Sequence, residues 1–147
     1  METLSNLKIK FIKNHPDAQL PFKKRASDTG YDLFAIEDVT IPAKGAHVVS
    51  TGIQVAEVYS GVWFLILPRS GMGFVHGIQP HLGVIDNPYR GDLAVKLYNF
   101  SDDDYNVYKG DRIAQIAYFP LLDLVPEWTD KVTESDRGAS GFGSSGQ

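Results

Sequence analysis

The hydrophobic residues of this chain fall in short runs and alternating stretches that are separated by turn-forming residues. Near the N-terminus, Leu7, Ile9 and Phe11 alternate with lysines, which is the period-two pattern of a half-buried strand. Residues 62–67 form a continuous apolar run that ends in Pro68, which is typical of a strand buried on both faces. Further strands are predicted at residues 31–36, 39–41, 47–51, 53–55, 93–100, 105–108 and 112–119. No long window keeps a helical period, and residues 55–59 are expected to form at most a short turn.

Many short strands separated by glycine and proline predict an all-β fold. The chain has 14 Gly and 8 Pro among 147 residues, and its length suits one domain with a proper core. A sandwich, a barrel and a jelly roll all satisfy this pattern. The C-terminus differs, because seven of its last ten residues are Gly or Ser, a composition that does not fold by itself. We therefore expect a β domain over residues 1–136 and a flexible arm over residues 137–147.

Charge and composition exclude several function classes. The formal net charge of −4 argues against general nucleic-acid or membrane-surface binding, which needs a basic surface, but not against a small anion held by local arginines. Without cysteine there are no disulfides, thiolate nucleophiles or Cys-based zinc sites, and the four histidines are not paired at metal-ligand spacing. No apolar run is long enough to span a membrane, and the N-terminus lacks the apolar core of a signal peptide. An intracellular protein is expected.

Three places in the chain carry polar groups that could perform chemistry within apolar surroundings. Residues 68–73 end an apolar strand with Arg69, Ser70 and two glycines, which are phosphate-binding elements although they also occur in ordinary turns. Asp32 is a carboxylate inside an apolar strand, where it either pairs with a base or serves a function. Gln115 is an amide in a buried-strand pattern and could equally be a satisfied core residue.

Residues 83–92 place an acid, an aromatic and a base within five positions. Asn87 and Pro88 favour a turn, and apolar alternation resumes at Leu93, so the pattern predicts a β-hairpin with polar side chains at its bend. A hairpin bend can position a carboxylate while admitting a ligand. An ordinary polar turn remains the alternative. At the C-terminus, the arm is either a frayed tail or a segment in which Arg137 and Phe142 close over an anionic ligand.

Taken together, five segments give the chain a specific resemblance. They are Thr29-Gly30-Tyr31-Asp32-Leu33-Phe34-Ala35; Pro68-Arg69-Ser70-Gly71; Gly83-Val84-Ile85-Asp86 with Tyr89-Arg90-Gly91; Gly110-Asp111-Arg112-Ile113-Ala114-Gln115; and Arg137-Gly138 followed by Gly141-Phe142-Gly143-Ser144-Ser145-Gly146. In this order and spacing they resemble the five motifs of the trimeric dUTPase family. The resemblance spans residues 28–146.

The resemblance implies a hydrolase that converts dUTP to dUMP and pyrophosphate. It implies that Asp86 is the general base for in-line attack of water on the α-phosphorus, and that Gln115 helps to hold the α-phosphate. Asp32 is expected to touch Mg²⁺ through water, with the ion held mainly by the triphosphate. The implied fold is a distorted jelly roll, and the implied assembly is a homotrimer whose three chains share each active site.

The resemblance also implies the residues that bind the substrate. Arg69, Ser70 and Gly71 contact the phosphates, and Tyr89 lies against the deoxyribose, where it leaves no room for a ribose hydroxyl. Uracil is read by the hairpin, with contacts expected at Gly83, Val84, Ile85 and, on the returning strand, Lys96. In the arm, Phe142 stacks on uracil, while contacts to the terminal phosphate are expected at Arg137, Gly143, Ser144 and Ser145. Arg90 supports the hairpin or the trimer rather than the substrate.

Two alternatives share the implied fold. The first is a dCTP deaminase, whose catalytic glutamate would fall at Lys96 when the chains are aligned on Gly91 and Asn99. Lysine cannot do the work of a carboxylate, so deamination is disfavoured. The second is a regulatory nucleotide-binding protein. The acid, the phosphate-binding residues and the arm are all present, so nothing in the sequence indicates a loss of catalysis.

Overall fold

The computed structural model describes residues 7–141, which fold as two antiparallel four-stranded sheets and one two-stranded sheet. Its elements are β1 (Ile9–Lys13), β2 (Tyr31–Phe34), β3 (Val39–Ile41), β4 (Ala46–Val58), β5 (Val62–Leu67), α1 (Ser70–His76), β6 (Ile78–Pro80), β7 (Gly83–Ile85), β8 (Asp92–Asn99), β9 (Tyr105–Val107) and β10 (Arg112–Pro120). The strand orders are β1-β4-β8-β6, β2-β10-β5-β7 and β3-β9. The all-β prediction is confirmed, with strands close to the predicted positions in most cases.

Apolar side chains from both large sheets form one core. Alternate residues of β8 are buried, which is the period expected of a strand with one face on a core. In β10 the buried residues come as adjacent pairs, Ile113 with Ala114 and Ile116 with Ala117. In β5, Phe64 and Ile66 are buried whereas Trp63 is only half-buried and stacks on Phe119 at 5.0 Å between ring centroids. The prediction that this strand is buried on both faces is therefore wrong for the single chain.

Strand β4 runs unbroken for 13 residues, so the two strands predicted at 47–51 and 53–55 are one, and residues 55–58 are strand rather than turn. Gly52 lies inside it with φ of 71°, a conformation that favours glycine. The pairing of β4 with β8 shifts register between Ser50 and Gln54. A bulge at this glycine thus explains why the sequence pattern looked like two strands.

The segment between β5 and β8 differs most from the prediction. It contains helix α1, which was not predicted because seven residues with two glycines show no helical period. The helix ends at Gly77, whose φ of 68° is the left-handed conformation common at helix ends. Strand β6 was not predicted and has three residues including Pro80, whereas β7 falls in the first arm of the hairpin predicted at residues 83–92.

Residues 83–92 do not form a hydrogen-bonded hairpin, and that prediction is wrong. Strand β7 pairs with β5, whereas β8 pairs with β4 and β6 in the other sheet. The turn at Asp86–Asp92 therefore carries the chain from one sheet to the other. Local pattern identified a bend correctly but could not identify the partner of each strand.

Regular structure ends at Pro120, and all residues from 121 to 141 are exposed. Trp128 and Val132 are almost fully exposed, and Leu122, Leu124 and Val125 are about four-fifths exposed. The predicted division at residue 136 stays a prediction. Within the part of the chain that the structure describes, no helix has the length and apolar character needed to cross a membrane.

Candidate active site

Three strands bring the first, second and fourth motifs together. Strand β10 lies between β2 and β5, with Gln115 paired to Asp32 on one side and to Leu67 on the other. Arg69 follows directly after β5, and Arg112 begins β10. Residues that are far apart in sequence therefore meet at one end of this sheet, because β10 is the strand they share.

An ion-pair cluster forms at this sheet end. Nε of Arg69 lies 3.1 Å from Oδ1 of Asp32, and Nε of Arg112 lies 3.7 Å from Oδ2 of the same carboxylate. The Asp32 side chain is 18% exposed, so the pair is partly shielded from water. Of the two alternatives for Asp32, pairing with a base is what the structure shows, and its role in metal contact stays a prediction. A guanidinium group has five N–H donors, so two arginines offer more donors than this one carboxylate accepts, and the rest can bind an anion.

Gln115 is held in place beside this cluster. Its Nε2 donates a hydrogen bond to the carbonyl of Pro68 at 2.9 Å. A β-carbon at position 30 would overlap Oε1 of Gln115, so the side chain occupies space that exists only because residue 30 is glycine. Ser70 and Gly71 form the exposed first turn of α1, and no atom lies within 4 Å of where a β-carbon of Gly71 would be. Backbone N–H groups at the start of a helix have no partner within it.

A cavity of about 400 Å³ opens next to the ion-pair cluster. Its lining includes both arginines, Met72, Tyr105 and Asp111. Burial raises the pKa of Tyr105; the nearby Asp111 charge raises it further, whereas Arg69 lowers it. A larger cavity of about 530 Å³ lies elsewhere, between β1 and residues 20–31, and shares no predicted site residue.

The third motif forms a tightly bonded turn. The backbone N–H of Tyr89 donates to the carbonyl of Asp86 at 3.0 Å, and the Tyr89 hydroxyl donates to the carbonyl of Asp92 at 2.6 Å. A β-carbon at Gly91 would overlap the Tyr89 ring, so this glycine allows the ring to lie across the turn. Nη1 of Arg90 donates to the carbonyls of Asn87 and Tyr89, which agrees with its predicted supporting role.

The Asp86 carboxylate is exposed at the start of this turn. Within residues 7–141 it takes part in no hydrogen bond and no ion pair. Gly83, Val84 and Ile85 precede it in β7, which is the last strand of its sheet. The backbone groups of β7 that point away from β5 are therefore not used in the sheet.

The ion-pair cluster and Asp86 do not meet within one chain. Ile85 pairs with Phe64, which places Asp86 beside Trp63, whereas Arg69 lies six residues further along. At about 3.3 Å per residue, the two backbone positions are about 20 Å apart. Lys96 pairs with Val48 on the exposed face of β8, where its Nζ lies 5.4 Å from the Tyr98 ring centroid.

Of the arm residues predicted to bind the substrate, only Arg137 lies in the described part of the chain. Arg137 is exposed in a turn, where its carbonyl accepts a hydrogen bond from Ser140 at 3.3 Å. Phe142, Gly143, Ser144 and Ser145 lie outside the described residues. Their predicted contacts with uracil and phosphate remain predictions.

Comparison with known proteins identifies the family. The family model described as dUTPase matches residues 16–146. A deoxyuridine 5′-triphosphate nucleotidohydrolase of Saccharomyces cerevisiae is 40% identical over 147 residues, and the match covers 99% of this chain and 99% of that protein. The chain belongs to the dUTPase family. The resemblance based on five motifs is thus confirmed for the family, and the protein is a dUTP nucleotidohydrolase.

Solved structures of dUTPases share the fold. A mutant dUTPase of Staphylococcus bacteriophage 80alpha with dUpNHpp has a TM-score of 0.86 at 24% identity, covering 95% of this chain and 99% of that chain. A mutant dUTPase of phage phi11, which shows the coordination of a structural Mg(II) ion, has a TM-score of 0.77 at 20% identity, covering 86% and 99%. The jelly-roll prediction agrees with these likenesses.

The side chains at this dUTPase site fit a magnesium ion only if the substrate brings most of its ligands. Among residues 7–141, no group of three or more His, Asp or Glu side chains could hold a metal ion. Asp32 already faces two arginines, so its oxygens are suited to one more contact, through a water molecule. Magnesium keeps several waters and is often bound by substrate phosphates.

Four residues of the site were not assigned roles from the sequence. Arg112 lies in the fourth motif, but its contact with Asp32 depends on strand pairing. Gly30 lies in the first motif, but the need for a glycine there depends on the position of the Gln115 side chain. Asn87 and Gln54 hold the Asp86–Asp92 turn through their side-chain amides. Only Asn87 carried a local signal, as a turn residue.

Proposed function

We propose that Asp86 acts as the general base of dUTP hydrolysis. The observation that carries this is an exposed carboxylate, without an ion-pair partner in the described residues, held on a turn whose backbone is hydrogen-bonded. Asp86 takes a proton from a water molecule, and the water oxygen bonds to the α-phosphorus. The bond from that phosphorus to the oxygen bridging to the β-phosphorus breaks in line, so dUMP and pyrophosphate result. Acid–base catalysis supplies about 10²–10⁴-fold, and positioning supplies much of the rest.

The triphosphate binds the ion-pair cluster in this proposal. Arg69, Ser70 and Gly71 contact phosphate oxygens, and Gln115 helps to hold the α-phosphate. The two guanidinium groups beside Asp32 and the open space above Gly71 support this assignment. Asp32 would contact Mg²⁺ through water when the triphosphate brings the ion, which would neutralise part of the phosphate charge.

The nucleoside binds at the third motif. The Tyr89 ring packs against the deoxyribose and leaves no space for a 2′-hydroxyl, because the ring is fixed by its hydroxyl bond to Asp92 and by contact with Gly91. Main-chain groups of Gly83, Val84 and Ile85 read the uracil edge from the unpaired side of β7. In this proposal Lys96, on the exposed face of β8, contributes from a neighbouring chain. Phe142 then stacks on uracil, and Arg137, Gly143, Ser144 and Ser145 close over the terminal phosphate.

Such a site requires more than one chain, and we propose a homotrimer. A triphosphate nucleotide cannot be held by Arg69 and attacked through Asp86 when the two lie about 20 Å apart with β5 between them. Neighbouring chains can bring the cluster of one next to the turn of another. The exposed leucines and Trp128 beyond β10 also favour contact with neighbouring chains, since large exposed apolar surfaces mark interaction sites. The division of the chain into a β domain, residues 1–136, and an arm, residues 137–147, is part of this proposal.

The reaction removes dUTP, which limits uracil incorporation into DNA, and supplies dUMP as the precursor of thymidylate. The experiment is pyrophosphate release from dUTP with Mg²⁺, compared with dTTP, dCTP and UTP, and with magnesium titrated from zero. We expect dUTP to be hydrolysed with a kcat/KM at least about 100-fold above the other nucleotides. Equal rates for all four nucleotides would refute the proposal. Ammonia released from dCTP would instead support the deaminase alternative, and tight dUTP binding without turnover would support a regulatory protein.

A further inference from the structure

The Asp86–Asp92 turn is anchored at its first end by a side chain. Nδ2 of Asn87 donates to the carbonyl of Val62 at 2.7 Å and to the carbonyl of Tyr59 at 3.0 Å. These two carbonyls flank the connection from β4 to β5. Both protons of one amide are therefore used to fasten the residue next to Asp86 to a rigid part of the β domain.

Asn87 also continues the ladder between β7 and β5 by an unusual route. The pairs Ile66 with Gly83 and Phe64 with Ile85 place residue 87 opposite Val62. The chain turns away there, because Pro88 follows and has no N–H to donate. The side-chain amide of Asn87 bonds Val62 in place of a backbone group, so Asp86 is fixed from both neighbours although its own carboxylate is free.

A second amide holds the other end of the turn. Nε2 of Gln54 donates to the carbonyl of Arg90 at 2.9 Å. Asn14 fixes the orientation of this amide, since its Nδ2 donates to Oε1 of Gln54 and to Oδ1 of Asp92, both at 3.0 Å. Gln54 thus secures the backbone segment across which the Tyr89 ring lies.

We propose that Asn87 and Gln54 are positioning residues with separate tasks, Asn87 for the attacking carboxylate and Gln54 for the sugar-reading ring. The proposal rests on the roles of Asp86 and Tyr89 given under the proposed function. Catalysis is sensitive to displacement of the base, because a misplacement of about 1 Å can lower a rate by about 100-fold. Sugar discrimination depends instead on how closely the ring occupies the space of a 2′-hydroxyl. Loss of the Asn87 amide should consequently lower mainly kcat, and loss of the Gln54 amide should lower mainly the preference for dUTP over UTP.

The test measures kcat and KM for dUTP and UTP, together with titration of binding sites by dUpNHpp. Asn87→Ala should lower kcat for dUTP by about 10- to 100-fold per competent site. Its affinity for dUpNHpp should stay within about threefold of wild type. Its dUTP-to-UTP ratio of kcat/KM should equal that of wild type. Asn87→Ser keeps one donor and should fall between Ala and wild type. Gln54→Ala should lower the dUTP-to-UTP ratio at least about tenfold and lower kcat less than Asn87→Ala does.

Asn106→Ala is the matched control, since Asn106 is an exposed amide that accepts a bond from Thr40 Oγ1 at 2.8 Å on β9. Asn106→Ala should change neither kcat for dUTP nor the dUTP-to-UTP ratio of kcat/KM. The proposal is overturned if Asn87→Ala keeps kcat within twofold of wild type. It is also overturned if both variants show a general loss of folded protein, in which kcat, selectivity and the number of competent sites all fall with the melting temperature. A wild type that does not prefer dUTP refutes the proposed function itself, whereas a selective wild type with insensitive variants refutes only the positioning roles.

Discussion

Arg69 and Asp32, 37 residues apart in sequence, form a partly buried ion pair with 3.1 Å between Nε and Oδ1. Arg112 approaches the second carboxylate oxygen, so one acid orients two guanidinium groups. Replacement of the acid changes the electrostatics of the cluster while leaving the strands intact. The first prediction follows from this contact.

Asp32→Asn should lower kcat/KM for dUTP by about 10- to 100-fold, because both arginines lose their counter-ion and magnesium loses an outer contact. The magnesium concentration for half-maximal activity should rise. The melting temperature should fall by only a few degrees, since partly exposed ion pairs contribute about 1 kcal/mol or less. Asp17→Asn is the control, because Asp17 pairs with exposed Lys109 at 3.3 Å. Unchanged kinetics in Asp32→Asn would remove Asp32 from the site.

Gly30→Ala should reduce activity through Gln115. The new methyl group takes the space of the Gln115 amide oxygen, so the amide must leave its bond to the Pro68 carbonyl. We expect kcat/KM to fall at least about tenfold in the Gly30→Ala chain and by less than about twofold when the same change is made in a Gln115→Ala chain. Kinetics of the four proteins in the cycle measure this coupling. Additive losses would mean that Gly30 acts independently of Gln115.

The strands with a clear period could be predicted from the sequence. Strands β5, β8 and β10 were placed nearly to the residue, because each alternates or forms an apolar run between turn signals. Helix α1 and strand β6 were not predicted, because the helix has seven residues with two glycines and β6 has three residues that include a proline. The bulge at Gly52 made one strand look like two.

The site was predictable residue by residue but not as an arrangement. Asp32, Arg69 and Gln115 each stood out as polar groups in apolar context, yet their meeting depends on β10 lying between β2 and β5. Strand order is a long-range property that no local pattern specifies. The same limit explains why the bend at residues 86–92 was recognised while its strands were wrongly paired with each other.

Mixed oligomers test whether sites are shared between chains. Asp86→Asn should abolish turnover while leaving dUpNHpp binding largely intact, and Arg69→Ala should also be nearly inactive. When the two variants are unfolded and refolded together in equal amounts, sites that combine Asp86 of one chain with Arg69 of its neighbour become intact. For a randomly mixed trimer, about a quarter of the wild-type rate should return. A site contained within one chain would give no recovery, which is the outcome against the shared-site proposal.

Removal of the arm tests its closure over the substrate. A chain ending at residue 136 keeps every strand found in residues 7–141, because the last of these ends at Pro120. We expect the oligomer and melting temperature to be retained while kcat/KM falls at least about 100-fold, since water is no longer excluded from the bound triphosphate. Size-exclusion chromatography and pyrophosphate release measure the two properties, and a chain lacking only Gln147 is the control. Wild-type rates from the truncated chain would identify the arm as a frayed tail.

Tyr118 should make the fold sensitive to alkaline pH. Burial, with a smaller contribution from Tyr31, raises the pKa of its phenol above the ordinary value of 10.0, and its ring packs edge-on against Phe64 at 5.7 Å. The folded state thus retains this proton above pH 10, whereas the unfolded chain loses it. The contribution of the Tyr118 phenol to the free energy of unfolding is therefore complete below pH 10 and declines as the pH rises. At pH 11 the loss is about 1 kcal/mol, or a few degrees in melting temperature. Melting curves between pH 9 and 11 should show a decline for wild type that is smaller by this amount in Tyr118→Phe. Tyr108→Phe, at an exposed position, should follow wild type, and equal declines for all three proteins would exclude Tyr118 as the responsible group.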